Sequence, residues 1–330
     1  MDLNGDGHLD ILSGSWPGVV YLFRGLPDHT FAAGEMIRNK DGELVNVGYG
    51  VTERPEGGLL IRGKAEFERT DEGTFVNFRG KRYESTIDNP IGITGSATTV
   101  RAADWDGDGD YDLIVGDISG DVYLVPNEGT PTAYSFGKEQ LLEIDGKPLD
   151  VPTRVGPEVA DWDGDGDLDL LVGHEGGGVL LLRNIGSATA PKLAAPEQLV
   201  PPGYIAYGEN VPKDVRRGTR SKICVADWNG DGRLDLFVGE YATQKPDRPE
   251  PTAEEEAEYD RIRKELESVR RRYNDLYEKL YGRARVRDKD QRDRIEEQWR
   301  EVLDQMSQLN GKLPSEYETH GWVWLFLRTP

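Results

Sequence analysis

The stretch Asp104-Trp-Asp-Gly-Asp-Gly-Asp-Tyr-Asp112, followed at once by Leu-Ile-Val-Gly116, decides the fold of this chain. The same nine-residue loop occurs four times in 330 residues, each time before a short apolar segment that ends in glycine. The other copies are Asp2-Leu-Asn-Gly-Asp-Gly-His-Leu-Asp10, Asp161-Trp-Asp-Gly-Asp-Gly-Asp-Leu-Asp169 and Asp227-Trp-Asn-Gly-Asp-Gly-Arg-Leu-Asp235. Such self-similarity predicts a fold built from repeats of one loop and strand unit.

Each loop carries carboxylate or amide oxygens at positions 1, 3, 5 and 9, with glycines at positions 4 and 6. Hard oxygen ligands in a tight turn are typical of Ca²⁺ sites. Position 7 varies in its side chain, so we expect it to offer a backbone carbonyl. The candidate metal ligands are Asp2, Asn4, Asp6, His8, Asp10, Asp104, Asp106, Asp108, Asp110, Asp112, Asp161, Asp163, Asp165, Asp167, Asp169, Asp227, Asn229, Asp231, Arg233 and Asp235.

An EF-hand is excluded, because that loop needs a glutamate at position 12 and helices on both sides. Position 12 is serine or valine here, and apolar strand-like segments follow every loop. The aspartate at position 9 would complete the coordination shell instead. We therefore expect Ca²⁺ at about four sites. Protein oxygens would fill the coordination shell, so the ion would stabilise the fold rather than catalyse a reaction.

The chain is strongly acidic, with a formal net charge of −21 from 61 acidic and 40 basic residues. Sixteen carboxylates lie in the loops, three in each outer loop and five in each middle loop. Most of the excess negative charge therefore lies in the candidate metal loops. A nucleic acid partner is excluded, because its phosphates would be repelled by this negative charge. No apolar run approaches the roughly 20 residues that span a membrane. The one cysteine, Cys224, lies in a strand-like segment and is expected to be buried.

Further strand-like segments accompany the loops. A second apolar strand follows at 19–23, 121–125 and 179–183, a third at 136–143, and another precedes each later loop at 99–103, 156–160 and 222–226. Four antiparallel strands per unit make one blade of a β-propeller. The predicted fold class is an all-β propeller with about four recognisable four-stranded blades, in a complete or an incomplete ring.

The loop starts are 102, 57 and 66 residues apart. The last two spacings suit single blades, whereas the first requires either a degenerate blade or an insertion near 41–97. That segment lacks the metal loop, and its candidate strands are 58–62 and 74–83. We favour an insertion that contains a small hairpin.

A charged, glycine-poor segment covers 251–313, where apolar residues recur in heptad steps on both sides of 282–288. This spacing predicts an antiparallel α-helical hairpin of coiled-coil type, inserted into the fourth unit. The predicted divisions are blades in 1–247, the hairpin insertion in 248–315 and a returning propeller strand in 316–330. The hairpin is either a self-contained arm or a surface for self-association.

The loops and their flanking strands resemble the FG-GAP/VCBS repeat family, which includes the propellers of integrin α-chains and many bacterial exported proteins. The resemblance covers 1–247 and 316–330 apart from the insertions. The Gly-Ala-Pro tripeptide of the family is replaced here by Gly-Asp, Gly-His or Gly-Glu, and only Phe136-Gly137 survives clearly. The resemblance implies adhesion or ligand binding, with a protein or carbohydrate partner, outside the cytoplasm.

The tryptophans at loop position 2, Trp105, Trp162 and Trp228, are expected to pack between blades, the alternative being carbohydrate stacking. Residues after the strand-ending glycine are the candidate ligand-binding set, with His174 expected at the surface. They are Asp117, His174, Glu175, Glu240 and Tyr241. No histidine pairs locally with a nucleophile, so a binding or scaffolding module is favoured over a carbohydrate-active enzyme such as a polysaccharide lyase or dehydratase.

The first loop begins at residue 2, without the strand that precedes the other loops. The chain thus begins and ends inside blades. We expect it to be an N-terminally truncated piece of a longer parent that carries a signal peptide and more blades.

Overall fold

The computed structural model describes residues 1–55, 57–70, 72–86, 88–149, 151–203, 217–281, 286 and 288–329. Within these, the chain divides into two compact units. A β unit comprises 1–203, 217–243 and 319–329, and a helical unit comprises 244–318. The protein is therefore mostly β structure with one helical segment.

The described strands and helices are short and closely spaced, apart from two long helices. In chain order they are β1 (Ile11–Ser13), β2 (Tyr21–Phe23), β3 (Glu35–Met36), β4 (Gly50–Glu53), β5 (Leu59–Arg62), β6 (Glu66–Thr70), β7 (Gly73–Phe78), β8 (Lys81–Ser85), β9 (Ile91–Thr94), β10 (Thr99–Ala103), β11 (Asp112–Gly116), β12 (Val122–Val125), β13 (Gln140–Leu141), β14 (Glu143–Ile144), β15 (Lys147–Pro148), β16 (Gly156–Ala160), β17 (Asp169–Gly173), β18 (Val179–Leu182), β19 (Glu197–Val200), β20 (Thr219–Ala226), β21 (Asp235–Gln244), α1 (Ala253–Tyr281), α2 (Lys289–Asn310) and β22 (Glu318–Phe326).

Seven small sheets form in the described part of the chain, and four of them each contain one acidic loop. We refer to these four, with their loops, as repeats 1 to 4. Repeat 1 is β1-β2-β3, repeat 2 is β10-β11-β12-β13, repeat 3 is β16-β17-β18-β19 and repeat 4 is β20-β21-β22. The predicted strands before and after the loops are confirmed, and repeats 2 and 3 are four-stranded antiparallel sheets.

The sheets of repeats 2 and 3 pack on both faces against neighbouring repeats. Strand β11 is buried at all five residues. Because successive side chains of a strand point to opposite faces, Leu113 and Val115 join a core with repeat 1, while Ile114 joins a core with repeat 3. A third core lies between repeats 3 and 4. This two-sided burial explains why the strands are continuous apolar runs rather than alternating ones.

The segment between repeats 1 and 2 is more elaborate than the small hairpin that the sequence predicted. Strands β4, β5 and β9 form one sheet, with β5 and β9 parallel. Strands β6, β7 and β8 form an antiparallel meander. Residues Ile61, Val76, Phe78 and Ile91 share one small core. The segment does contain an antiparallel hairpin, formed by β7 and β8. The other strands were missed because strands as short and polar as β4 and β6 carry little sequence signal.

In the helical unit the two helices run in opposite directions. Tyr281 lies beside Arg292, and Arg272 Nη1 donates to Gln305 Oε1 at 3.4 Å. Asp288 caps α2 by accepting the Gln291 amide at 2.9 Å. The heptad residues of both helices are buried in one cluster, so the two stripes cover each other. Most of the predicted linker at 282–288 lies outside the described residues. Neither described helix is long and apolar enough to cross a membrane.

The prediction that Cys224 is buried was wrong, since the structure exposes this thiol. In β20 the side chains of Ser221 and Ile223 are buried, while Lys222 and Cys224 point the other way and are exposed. An apolar setting in the sequence reveals a strand, but the burial of each face depends on what packs there.

Candidate metal centre

The acidic loops are held by hydrogen bonds from their own backbone. In the third loop, Asp161 Oδ1 accepts the Gly164 amide at 2.8 Å and Asp161 Oδ2 accepts the Gly166 amide at 3.0 Å. The first and fourth loops repeat both contacts. The glycines at positions 4 and 6 have φ values between +71° and +96° in all four loops. Glycine is favoured at both positions because side chains disfavour this backbone region.

The middle two loops gather carboxylates closely. In each, oxygens of the aspartates at positions 1, 3 and 5 lie within 4.8 Å of one another. The two sets are Asp104, Asp106 and Asp108, and Asp161, Asp163 and Asp165. Three like charges at this separation repel one another, so each set could bind a metal ion that neutralises it.

The second loop has buried oxygens that hydrogen bonds leave unused. Asp104 Oδ1, Asp106 Oδ1 and Asp110 Oδ1 are buried without a hydrogen-bond partner. Burial raises the pKa of Asp110, and the charges of Asp108, Asp106 and Asp104 raise it further. Buried oxygens normally have partners, and these are hard anionic donors. The residues present therefore fit a hard divalent cation such as Ca²⁺.

The third loop has a cation of its own. Arg183 Nη1 donates to Asp163 Oδ2 at 2.7 Å, and the same guanidinium lies 3.4 Å from Glu197. Pro126 occupies the equivalent place in repeat 2, counted from the loop start. Part of the negative charge of the third loop is thus already compensated, whereas no such ion pair reaches the second loop among the described residues.

The outer loops replace the carboxylate at position 3 by an amide. Asn4 Nδ2 donates to Asp6 Oδ2 at 2.9 Å, and Asn229 Nδ2 donates to Asp231 Oδ2 at 3.0 Å. The backbone amide at position 7 donates to the position-5 carboxylate in all four loops. In the outer loops the backbone amide at position 5 also donates to the asparagine oxygen at position 3. The outer loops therefore have fewer charges and more internal hydrogen bonds than the middle loops.

The position-9 aspartates have a role that the sequence analysis missed. Asp112 Oδ2 accepts the Trp105 amide at 3.1 Å, and Asp112 Oδ1 accepts the Asn127 amide at 2.7 Å. Asp10, Asp169 and Asp235 make the same pair of contacts, and all four are at most 5% exposed. Burial raises the pKa of Asp112 to about 6. The constant spacing of 15 residues from Asp112 to Asn127 and from Asp169 to Asn184 was the available sequence signal.

The first and second loops each lie under a turn of the next repeat. A Cβ at Gly5 would overlap the methyl group of Thr132, and one at Gly107 would lie 3.1 Å from the Ala188 carbonyl oxygen. Asn127 Oδ1 holds the covering turn by accepting the Gly129 and Ser135 amides at 3.1 and 2.8 Å. The first two loops are thereby partly shielded from solvent.

The predicted ligand-binding residues after the strand-ending glycine serve their own turns. Asp117 Oδ1 accepts the amides of three following residues, Ser119, Gly120 and Asp121. Glu240 accepts from the Gly218 amide and Trp324 Nε1 and pairs with Arg217.

The prediction that His174 lies at the surface was wrong, because it is 3% exposed and its Nδ1 accepts the Gly176 amide at 3.1 Å. Burial lowers the pKa of His174. Glu175 pairs with Arg154 and Arg220, and Tyr241 lies beneath the Arg220 guanidinium. These side chains are thus engaged in local structure, apart from Asp117 Oδ2, which is buried without a hydrogen-bond partner.

The tryptophans at position 2 differ between repeats. Trp105 and Trp162 are 3% and 7% exposed and lie in the cores between successive repeats, as predicted. Trp228 is 65% exposed and meets Phe237 edge-on, with ring centroids 5.4 Å apart. Packing between repeats therefore accounts for two of the three.

Comparison with known proteins finds one family. A sequence model described as the FG-GAP-like repeat matches residues 104–172 and 161–238, each match running from one acidic loop through the strand after the next. No curated protein matches the chain.

Among solved structures, one match comes from a study titled as the structural basis of specific recognition of non-reducing terminal N-acetylglucosamine by an Agrocybe aegerita lectin. It is 22% identical over 60% of this chain, with a TM-score of 0.28. The match spans 50% of that protein's chain. At this TM-score the likeness carries no argument about fold or ligand.

Proposed function

Because residues 104–238 belong to the FG-GAP-like repeat family, we propose that this chain is a calcium-stabilised β-propeller module that binds a protein or carbohydrate ligand. The packing of the repeats supports a propeller. Successive sheets share an apolar core at each of three junctions. In a propeller, four-stranded sheets follow one another around an axis in this way.

The observation that carries the calcium proposal is the set of partnerless oxygens in the second loop. Three buried carboxylate oxygens without hydrogen-bond partners belong to Asp104, Asp106 and Asp110. Bound Ca²⁺ would supply positive charge that neutralises these groups. The loop residues would hold the ion, and the position-9 aspartate fastens the loop to the sheet. We propose strong sites in the second and third loops and weaker sites in the first and fourth.

The role of the metal in this proposal is structural. The loop oxygens surround the site, and the polar residues at the neighbouring strand ends are engaged in their own turns. This arrangement favours a binding module over an enzyme. Extracellular calcium-binding modules have dissociation constants of about 0.1–1 mM, so we also propose a location outside the cytoplasm, where calcium is abundant.

Thermal unfolding in calcium and in chelator tests the proposal. A ligand that binds only the folded state stabilises it by about 2.7 kcal/mol at 100 times its dissociation constant. We expect the melting temperature to rise with added Ca²⁺ until the sites saturate, and to fall when a chelator is added. Magnesium at equal concentration is the control, because its small octahedral shell suits these loops poorly. A melting temperature that calcium and chelator leave unchanged would refute the calcium assignment.

A further inference from the structure

Repeat 4 exposes an apolar surface that is buried in the other repeats. At loop position 2, Trp105 and Trp162 are 3% and 7% exposed, whereas Trp228 is 65% exposed. The second strand after the loop is β18 in repeat 3 and β22 in repeat 4. In β18, Val179 is fully buried, whereas its equivalent in β22, Val323, is 75% exposed. The surface on repeat 4, which we name the trailing face, consists of Trp228, Phe237, Val323 and Leu325.

This equivalence rests on the hydrogen bonds that fix the register. The Arg328 amide donates to Asp235 Oδ1 at 2.9 Å, as the Asn184 amide donates to Asp169 Oδ1 at 2.7 Å. Counting back five residues from each donor gives Val323 and Val179. The trailing face thus has the architecture of a repeat junction, but no described part of the chain covers it.

Repeat 1 exposes the opposite half of such a junction. At the residue directly after the loop, Leu113 and Leu170 are fully buried, whereas Ile11 is 45% exposed. Phe136 and Phe31 are equivalent, because they form matching isolated β-bridges with Asn127 and Gly25. Phe136 is fully buried, whereas Phe31 is 47% exposed. The surface on repeat 1, which we name the leading face, consists of Leu9, Ile11 and Phe31.

The internal junctions show that these two faces belong together. The core between repeats 2 and 3 combines Trp105 and Val122 of repeat 2 with Leu170 and Leu193 of repeat 3. Trp228 and Val323 occupy the places of the first two residues, and Ile11 and Phe31 those of the last two. The chain therefore carries both halves of an interface that it already forms internally three times.

We propose that the trailing face of one chain docks on the leading face of a second copy, which extends the series of repeats from one molecule into the next. Large exposed apolar patches mark interaction sites, and here the shape and chemistry of the cover are those of the chain's own next repeat. The contact is head-to-tail, and a heterologous contact that repeats either closes a ring or grows a filament.

The test uses the full chain with one charge on each face. Val323→Arg alters the trailing face and Leu9→Arg alters the leading face. Both residues are more than 70% exposed, so both variants should fold. Ile185→Arg is the control, because Ile185 is an equally accessible apolar residue, 61% exposed, on neither face. Association is measured by sedimentation velocity, and folding by circular dichroism.

The unaltered chain and Ile185→Arg should form dimers or longer head-to-tail assemblies. Each face variant should associate about tenfold or more weakly, because a charge would be buried in an apolar contact. Mixing the two face variants should restore a one-to-one complex, since each retains the half that the other lacks.

Three outcomes overturn the proposal. They are a monomeric unaltered chain at about 100 µM, a dimer that survives both face variants (which would place the contact elsewhere, for example on the helices), and failure of the mixed variants to associate. None of these outcomes depends on calcium binding, provided that the measurements are repeated in chelator.

Discussion

The Asn127 backbone amide donates to Asp112 Oδ1 at 2.7 Å, which joins a turn to the end of an acidic loop fifteen residues earlier. The other oxygen of the same carboxylate accepts the Trp105 amide at the start of that loop. One side chain therefore fixes three segments, and it does so at the equivalent place in every repeat. The position-9 aspartate is thus a structural element of every repeat.

Replacing this carboxylate should destabilise the protein even without calcium. Asp112→Ala leaves two buried amides without an acceptor, which should lower the free energy of unfolding by about 2–4 kcal/mol. Asp112→Asn keeps one acceptor and should lose roughly half as much. Urea denaturation in chelator measures both variants. If Asp112→Ala lost stability only in the presence of calcium, the residue would act as a ligand and not as a fastener.

Exchanging position 3 between loops should exchange their calcium affinities. Asp106→Asn gives the second loop the position-3 amide of the fourth, and Asn229→Asp gives the fourth loop the position-3 carboxylate of the second. Since ligand charge tunes calcium affinity, we expect the first change to weaken its site about tenfold and the second to strengthen its site similarly. Calorimetric titration checks both. Equal affinities in all loops before and after the exchange would contradict this ranking.

Removing Arg183 should strengthen calcium binding in the third loop. Its guanidinium lies 2.7 Å from Asp163, and a positive charge at that distance opposes a cation in the same loop. Arg183→Met should therefore raise the affinity of this site roughly three- to tenfold. Arg24→Met is the matched control, because Arg24 holds the equivalent strand position in repeat 1 and pairs with Glu35. An equal gain in the control would point to net charge as the cause.

Acidification should destabilise the β unit through His174. Burial lowers the pKa of His174 in the folded protein below its ordinary value of 6.5, so the unfolded state binds more protons near that pH. The stabilisation is complete above pH 6.5 and is lost as the pH falls through the folded-state pKa. His174→Asn retains an acceptor for Gly176 and cannot titrate. Its free energy of unfolding should therefore fall less between pH 6.5 and 5.

His29→Asn is the control for this pH dependence. His29 is exposed and has a φ of +63°, a conformation that asparagine tolerates well. This variant should keep the pH dependence of the unaltered protein. If His29→Asn flattened the curve as much as His174→Asn, the buried imidazole would not be the source of the effect.

Much of the fold could be predicted from the sequence because its signals are local. The glycine pattern of the acidic loop and the apolar run in Leu113–Val115 depend on backbone conformation and on burial of both faces. The errors concern tertiary surroundings. Cys224 and Ile223 have similar neighbours in sequence, but only one faces the core. His174 is buried by a turn that it helps to form, and a polar residue before a glycine-rich turn was the only sequence signal for this.

The ranking of the metal loops shows the same limit. The constant ligand spacing within the four loops predicted about four sites, and the presence of asparagine at position 3 was visible in the sequence. The ion pair between Arg183 and Asp163 was not, because the two residues are twenty positions apart and meet only when β18 lies beside the loop. An ion pair with a residue of another strand can be predicted only when the register of the sheet is known.

The interruption of repeat 4 has a consequence for the order in which the chain folds. Strands β11 and β12 are separated by 5 residues, whereas β21 and β22 are separated by 73 that include both helices. Closing the longer loop from a flexible chain would cost about 2 kcal/mol more in entropy. Helices form from local contacts within microseconds, and once they pair, the effective loop becomes short. Strand β22 should therefore join β21 more rapidly once the helices have paired, so the helical hairpin speeds completion of the β unit.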